Sequence, residues 1–134
     1  MSINCVHLGN GNRHQAPAPG GPVAQILIGD EPGRQMGVVE VTVPACGQMG
    51  LHEHGDSETL LIPLHGLIRL ISGGDDGEVT MLEPGVIVTI PVGEKVRLDN
   101  PEPEQGKLLA IFSPAGFTNR IAGWPLAELS AAAG

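Results

Sequence analysis

At 134 residues the chain suits one domain and is long enough to bury a sizeable core. Seven Lys and Arg against 15 Asp and Glu leave a formal charge of -8, which excludes the basic patch that nucleic acid or an anionic membrane surface requires. Twenty glycines and 12 prolines break long helices, while frequent Val, Ile and Leu suit pleated strands. No run of about 18 apolar residues offers a membrane span. Met1 to Gln15 lacks the basic start and apolar run of a signal peptide, so the protein is expected to be cytoplasmic. Cys5 and Cys46 lack a CxxC spacing and are read as unpaired thiols, Cys46 partly buried. The aromatics are Phe112, Phe117 and Trp124, so any pocket is mainly aliphatic.

In chain order, residues 1–22 show no periodicity and read as a flexible N-terminal segment, with 16–22 extended or loose. Val23 to Ile28 reads as a first strand and Met36 to Val43 as a second, with Val39, Val41 and Val43 on its apolar face and Val38, Glu40 and Thr42 on the other. Leu51 to His54 is short and polar. Thr59 to Leu64 and Leu67 to Ile71 follow, then a hairpin loop over 72–77. Glu78 to Leu82, Val86 to Ile90, Lys95 to Leu98 and Lys107 to Phe112 complete the set, each bounded by Pro or Gly. Residues 23–115 thus form the barrel, and 116–134 a tail packing on it or on a partner subunit, with a helical turn around Leu126 to Ala132. Phe117 and Trp124 are expected to cap one barrel end or a subunit contact. Strands this short and numerous hide their edges by closing into a jelly-roll barrel, so the fold class is all-β.

The chemistry gathers at His52-Glu53-His54-Gly55-Asp56-Ser57-Glu58. In extended chain, residues two apart share a face, so His52 and His54 project together. Glu58 opens the next strand and can swing to the same point. Placing Glu58 inward also turns Leu60, Ile62 and Leu64 inward, which makes a better core than Thr59, Pro63 and His65. Two imidazoles and a carboxylate would hold Fe, Mn, Ni or Zn with positions left open. Arg69, mid-strand, is either a carboxylate anchor for substrate or an outward strand arginine.

Two stretches resemble the motifs of the cupin superfamily, in its small single-domain form. Gly85, Pro91, Gly93 and Asn100 match G-x5-P-x-G-x2-H-x3-N, with Val96 where the family has histidine. Gly47, His52, His54, Glu58 and Gly66 resemble G-x5-H-x-H-x3,4-E-x6-G, with one residue fewer before His52 and one more after Glu58. An alignment anchored on the two glycines would instead put Glu53, Gly55 and Thr59 in the ligand slots. The resemblance implies a cupin-type jelly roll, a homodimer, and a divalent metal ion on His52, His54 and Glu58. The slot at Val96 is the family's fourth ligand position. Its loss leaves three options: a three-ligand centre with water, substitution by His65, His14 or His7, or a dead site.

Two functions follow. One is a metal-binding enzyme, of dioxygenase or other metal-dependent type, acting on a small, fairly apolar molecule. The other is a degenerate cupin that binds or senses a small molecule without turnover.

Overall fold

The computed structural model describes residues 3–73 and 77–127. Among these residues ten strands form two antiparallel sheets. They are β1 (Arg13–Gln15), β2 (Val23–Ile28), β3 (Gly37–Val43), β4 (Gln48–His52), β5 (Glu58–His65), β6 (Ile68–Ser72), β7 (Val79–Leu82), β8 (Val88–Ile90), β9 (Val96–Asp99) and β10 (Gly106–Ser113), followed by the helix α1 (Phe117–Ala122). One sheet runs β1-β2-β3-β10-β5-β8 and the other β4-β9-β6-β7. Their facing sides enclose one core that includes Val39, Val43, Leu61, Ile68, Leu70, Leu82, Val96 and Leu108. This is the expected jelly-roll barrel, and the strands predicted from 23 to 113 all form, with ends shifted by a few residues. Among the described residues no helix is long and apolar enough to cross a membrane.

Three local expectations change. The segment expected to be loose up to Pro22 contains β1, which pairs with β2 through Arg13 and Gln25, His14 and Ala24, and Gln15 and Val23. The chain before β1 also covers Glu40, which is buried rather than outward and exposed. Its Oε1 accepts the Gly9 N–H at 2.7 Å, while Gln25 donates to the Gly9 and Gly11 carbonyls. Glu40 is paired in this way, so burial does not leave a bare charge. The helix lies earlier than expected, at 117–122. Leu126 instead bridges to His14, and 128–132 lies outside the described residues, as does the hairpin loop at 74–76. Cys46 is exposed, not partly buried, like Cys5.

The parity of β5 is the fourth change. Thr59, Leu61 and Pro63 are buried, whereas Glu58 is exposed and Leu60, Ile62 and Leu64 lie on the opposite face. Pairing fixes this choice. Thr59 stands opposite Phe112 and Leu61 opposite Ala110, and both β10 residues face the core. Directly paired residues share a face, so β5 must turn its odd-numbered side inward. Leu60 and Ile62 are paired outside with Ile111 and Leu109, and those outer apolar contacts keep them half-buried.

The second glycine-proline motif shapes the closed side of the barrel. Gly93 takes a φ of 83° in the turn before β9, a conformation that costs glycine little. Asn100 follows that strand fully buried, and its amide ties together two loops. Nδ2 donates to the carbonyls of Val43, Pro44 and Glu104 at 3.3, 3.1 and 2.7 Å, and Oδ1 accepts the Glu102 N–H at 2.9 Å. Gly47 lies against this knot. An added Cβ there would meet Gly20 O and Pro44 Cγ at 2.7 Å, so nothing larger fits.

Candidate functional site

His52 ends β4, beside Val96 of β9. Its Nδ1 lies 2.8 Å from the Gly50 carbonyl. A carbonyl only accepts, so Nδ1 carries the proton and Nε2 keeps its lone pair. The chain then turns sharply. Gly55 has a φ of 61°, and the Ser57 N–H donates to the His54 carbonyl at 3.1 Å. The buried Ser57 hydroxyl donates to the Pro114 carbonyl at 2.6 Å and fixes this turn to the end of β10. These constraints carry the His54 ring inward to 8% exposure.

The two imidazoles meet, as their spacing predicts, with ring centroids 4.9 Å apart and planes at 85°. His54 also packs on Phe112 at 5.7 Å and on Phe117 at 5.0 Å. Burial lowers the pKa of both rings. For His52 the Gly50 hydrogen bond opposes that fall and the Arg120 charge adds to it. For His54 burial, His52 and Arg120 all act downward and bring it to about 4. Both rings are therefore neutral at pH 7.

They form the polar wall of an otherwise apolar cavity at the barrel mouth. Ala24, Val41 and Ala110 line it from the larger sheet, and Met49 and Leu98 from the smaller. Phe117 and Ile121 of α1 and Trp124 beyond it close the opposite side, so the predicted capping role of Phe117 and Trp124 falls at this mouth. The segment is pinned there: Gln15 N–H donates to Pro125 O at 2.7 Å and Ala127 N–H to Arg13 O at 2.8 Å. The cavity offers about 50 Å³ to the centres of water-sized molecules, several times the ~10–15 Å³ that houses one water.

The structure brings together two of the three residues expected to hold metal. Glu58 lies on the outer face, exposed. Thr59 takes the inward position instead, and its buried hydroxyl has no hydrogen-bond partner among the described residues. Val96 fills the fourth slot as a packed core side chain. His65 is exposed 4.0 Å from Glu104, His14 Nδ1 contacts Trp124 O, and His7 lies by Cys5; none of the three lines the cavity. Among the described residues no three of His, Cys, Asp and Glu gather in a metal-holding group. Two imidazoles alone do not fit a resident two-histidine, one-carboxylate centre. Arg69 is no anchor for substrate, because Asp99 across the strand pair holds it at 2.6 and 2.9 Å.

Arg120 joins the histidines although no motif in the sequence marks it. Its guanidinium lies 4.8 Å over the Phe117 ring and donates from Nη1 to the Glu53 carbonyl at 3.3 Å. Its position after Phe117 on a short helix was the available signal, but that helix was expected further along the chain.

No family model matches the chain, and no curated protein sequence does. Solved structures do. The polyketide cyclase RemF from Streptomyces resistomycificus is 21% identical, with a TM-score of 0.70 over 84% of this chain and 80% of that one. A cupin 2 conserved barrel domain protein from Salinispora arenicola is 22% identical, with a TM-score of 0.67 over 91% and 98%. An RmlC-like cupin with a double-stranded β-helix fold from Methanocaldococcus jannaschii is 18% identical, with a TM-score of 0.65 over 90% and 98%. These likenesses show the fold: the chain is a small cupin-type barrel.

Proposed function

We propose that this cupin-type barrel binds a small, largely apolar molecule in its mouth, with His52 and His54 as the polar contacts. One observation carries the reading: an apolar cavity whose titratable lining, among the described residues, is two adjacent, neutral imidazoles. Pockets of this kind take binding energy from apolar contact and orientation from a few polar groups. His52 keeps an acceptor at Nε2 because Gly50 fixes its other nitrogen as a donor. His54 has no ring hydrogen bond within the protein among the described residues, so it can donate or accept toward a ligand. A hydroxyl, amide or carbonyl on an apolar body matches that pair. The polyketide cyclase among the structural neighbours supports a small organic ligand for a barrel of this shape.

The metal-dependent reading has less support, because Glu58 faces away from the two histidines. Elemental analysis decides it. Near-stoichiometric metal in the purified protein, lost in His52→Ala/His54→Ala, would restore that reading.

Trp124 is the chain's single tryptophan and lines the cavity, so its fluorescence reports occupancy. Titration with benzamide should give a saturable change that is weakened in Leu98→Phe, which narrows the mouth. A linear response, or one unaffected by Leu98→Phe, would remove the proposal.

A further inference from the structure

Over Phe117, a wall of the cavity, lies the exposed guanidinium of Arg120. Three basic side chains have carboxylate partners: Arg69 with Asp99, Arg34 with Glu31, and Lys107 with Glu40. Arg120 has none within 4.0 Å among the described residues, although Glu53, Asp56 and Glu58 follow one another in the neighbouring loop. What it contacts in that loop is the Glu53 backbone carbonyl, not a carboxylate. Its guanidinium lies over the Phe117 ring, and Nη2 lies beside Gly55, where a Cβ would be 3.6 Å away. A guanidinium held by a ring and a carbonyl keeps several N–H groups unused in a fixed fork, the geometry that a carboxylate accepts.

The ring under Arg120 is itself a wall of the cavity, which joins the two features. In a chain of charge -8 the overall field repels anions, so attraction here must be local. Neutral imidazoles complete the logic: His52 and His54 present hydrogen-bonding groups inside without a competing positive charge.

We propose that Arg120 makes the cavity rim a carboxylate-binding site, and that the ligand is a small amphipathic acid. Its apolar body sits against Phe117 and Trp124, and its carboxylate is gripped at the rim by Arg120. The inference rests on the cavity reading above and narrows its ligand class.

The test compares benzoate with neutral benzamide by Trp124 fluorescence at low salt. Wild type should bind benzoate about tenfold tighter than benzamide, a preference that shrinks as salt is added. Arg120→Met should abolish the preference, and saturable benzamide binding by that variant would show that it is folded. Arg120→Lys should keep part of it, and Lys95→Met, which removes an exposed charge elsewhere, should keep all of it. Equal wild-type affinities, or a preference that survives in Arg120→Met, would overturn the proposal and leave the cavity reading standing. Silence of both probes would overturn both. The wild-type comparison stands even if Arg120→Met fails to fold.

Discussion

Asn100 and His54 are both polar and both buried, at 2% and 8% exposure, yet the molecule holds them in opposite ways. Asn100 uses its whole amide on four backbone groups and so knots the closed side of the barrel. His54 sits among Phe112, Phe117 and the edge of His52, with no ring hydrogen bond among the described residues. Buried polar groups are normally satisfied within the fold. A fully satisfied one acts as a brace. One left open beside a cavity is held ready for something outside the chain.

Substitutions test that contrast. The largest effect should come from Asn100→Ala, which strands three carbonyls and an N–H at once. We expect a loss of about 4 kcal/mol in urea unfolding, and a loss under about 1 kcal/mol would refute the brace. His54→Leu should behave differently. At pH 7 it should leave stability within about 1 kcal/mol of wild type, because it replaces an unpaired polar ring by an apolar side chain. The two proteins should then diverge in acid. The unfolded chain takes up the His54 proton near 6.5, but the folded chain only near 4. Wild-type stability from this residue is therefore full above about 6.5 and falls as the pH drops toward 4, by on the order of 3 kcal/mol over the whole span. The variant should lack that component, which urea titrations at several pH values would show.

Smaller effects test the parity of β5. Thr59→Val removes a buried hydroxyl without a partner while keeping its shape, and should stabilise by about 1 kcal/mol. A thermal melt showing destabilisation would mean that the hydroxyl has a partner in solution, such as an internal water. Glu58→Gln should change stability by less than about 0.5 kcal/mol, as expected of an exposed strand-end side chain. It should also leave the metal content of the purified protein unchanged.

The sequence made the barrel legible because its turns are spelled in Pro and Gly, and turn chemistry is local. The resemblance to the cupin motif singles out Gly93 and Asn100, and the structure gives each a physical task. The convergence of His52 and His54 was legible for the same reason, since it depends on a two-residue step. Glu58 was not, because both faces of β5 are largely apolar. Thr59-Leu61-Pro63 and Leu60-Ile62-Leu64 compete on nearly equal terms until β10 supplies a partner, and a one-residue slip inverts the face. The alignment anchored on Gly47 and Gly66 had put Thr59 in the inward slot, and that is the residue the structure buries there. Glu40 shows the same limit: its alternation looks solvent-facing, and only the chain around Gly9 explains its burial. Arg120 depends on contacts between segments 67 residues apart, which no local pattern encodes.

The most direct test of the central claim is a pair of long-range 1H–15N spectra of the imidazole nitrogens at about pH 5.5, with and without benzamide. His54 should still be neutral at that pH, and the His52 and His54 nitrogens should shift when benzamide binds. A protonated His54, or histidine signals that ignore benzamide while the Trp124 indole responds, would contradict it.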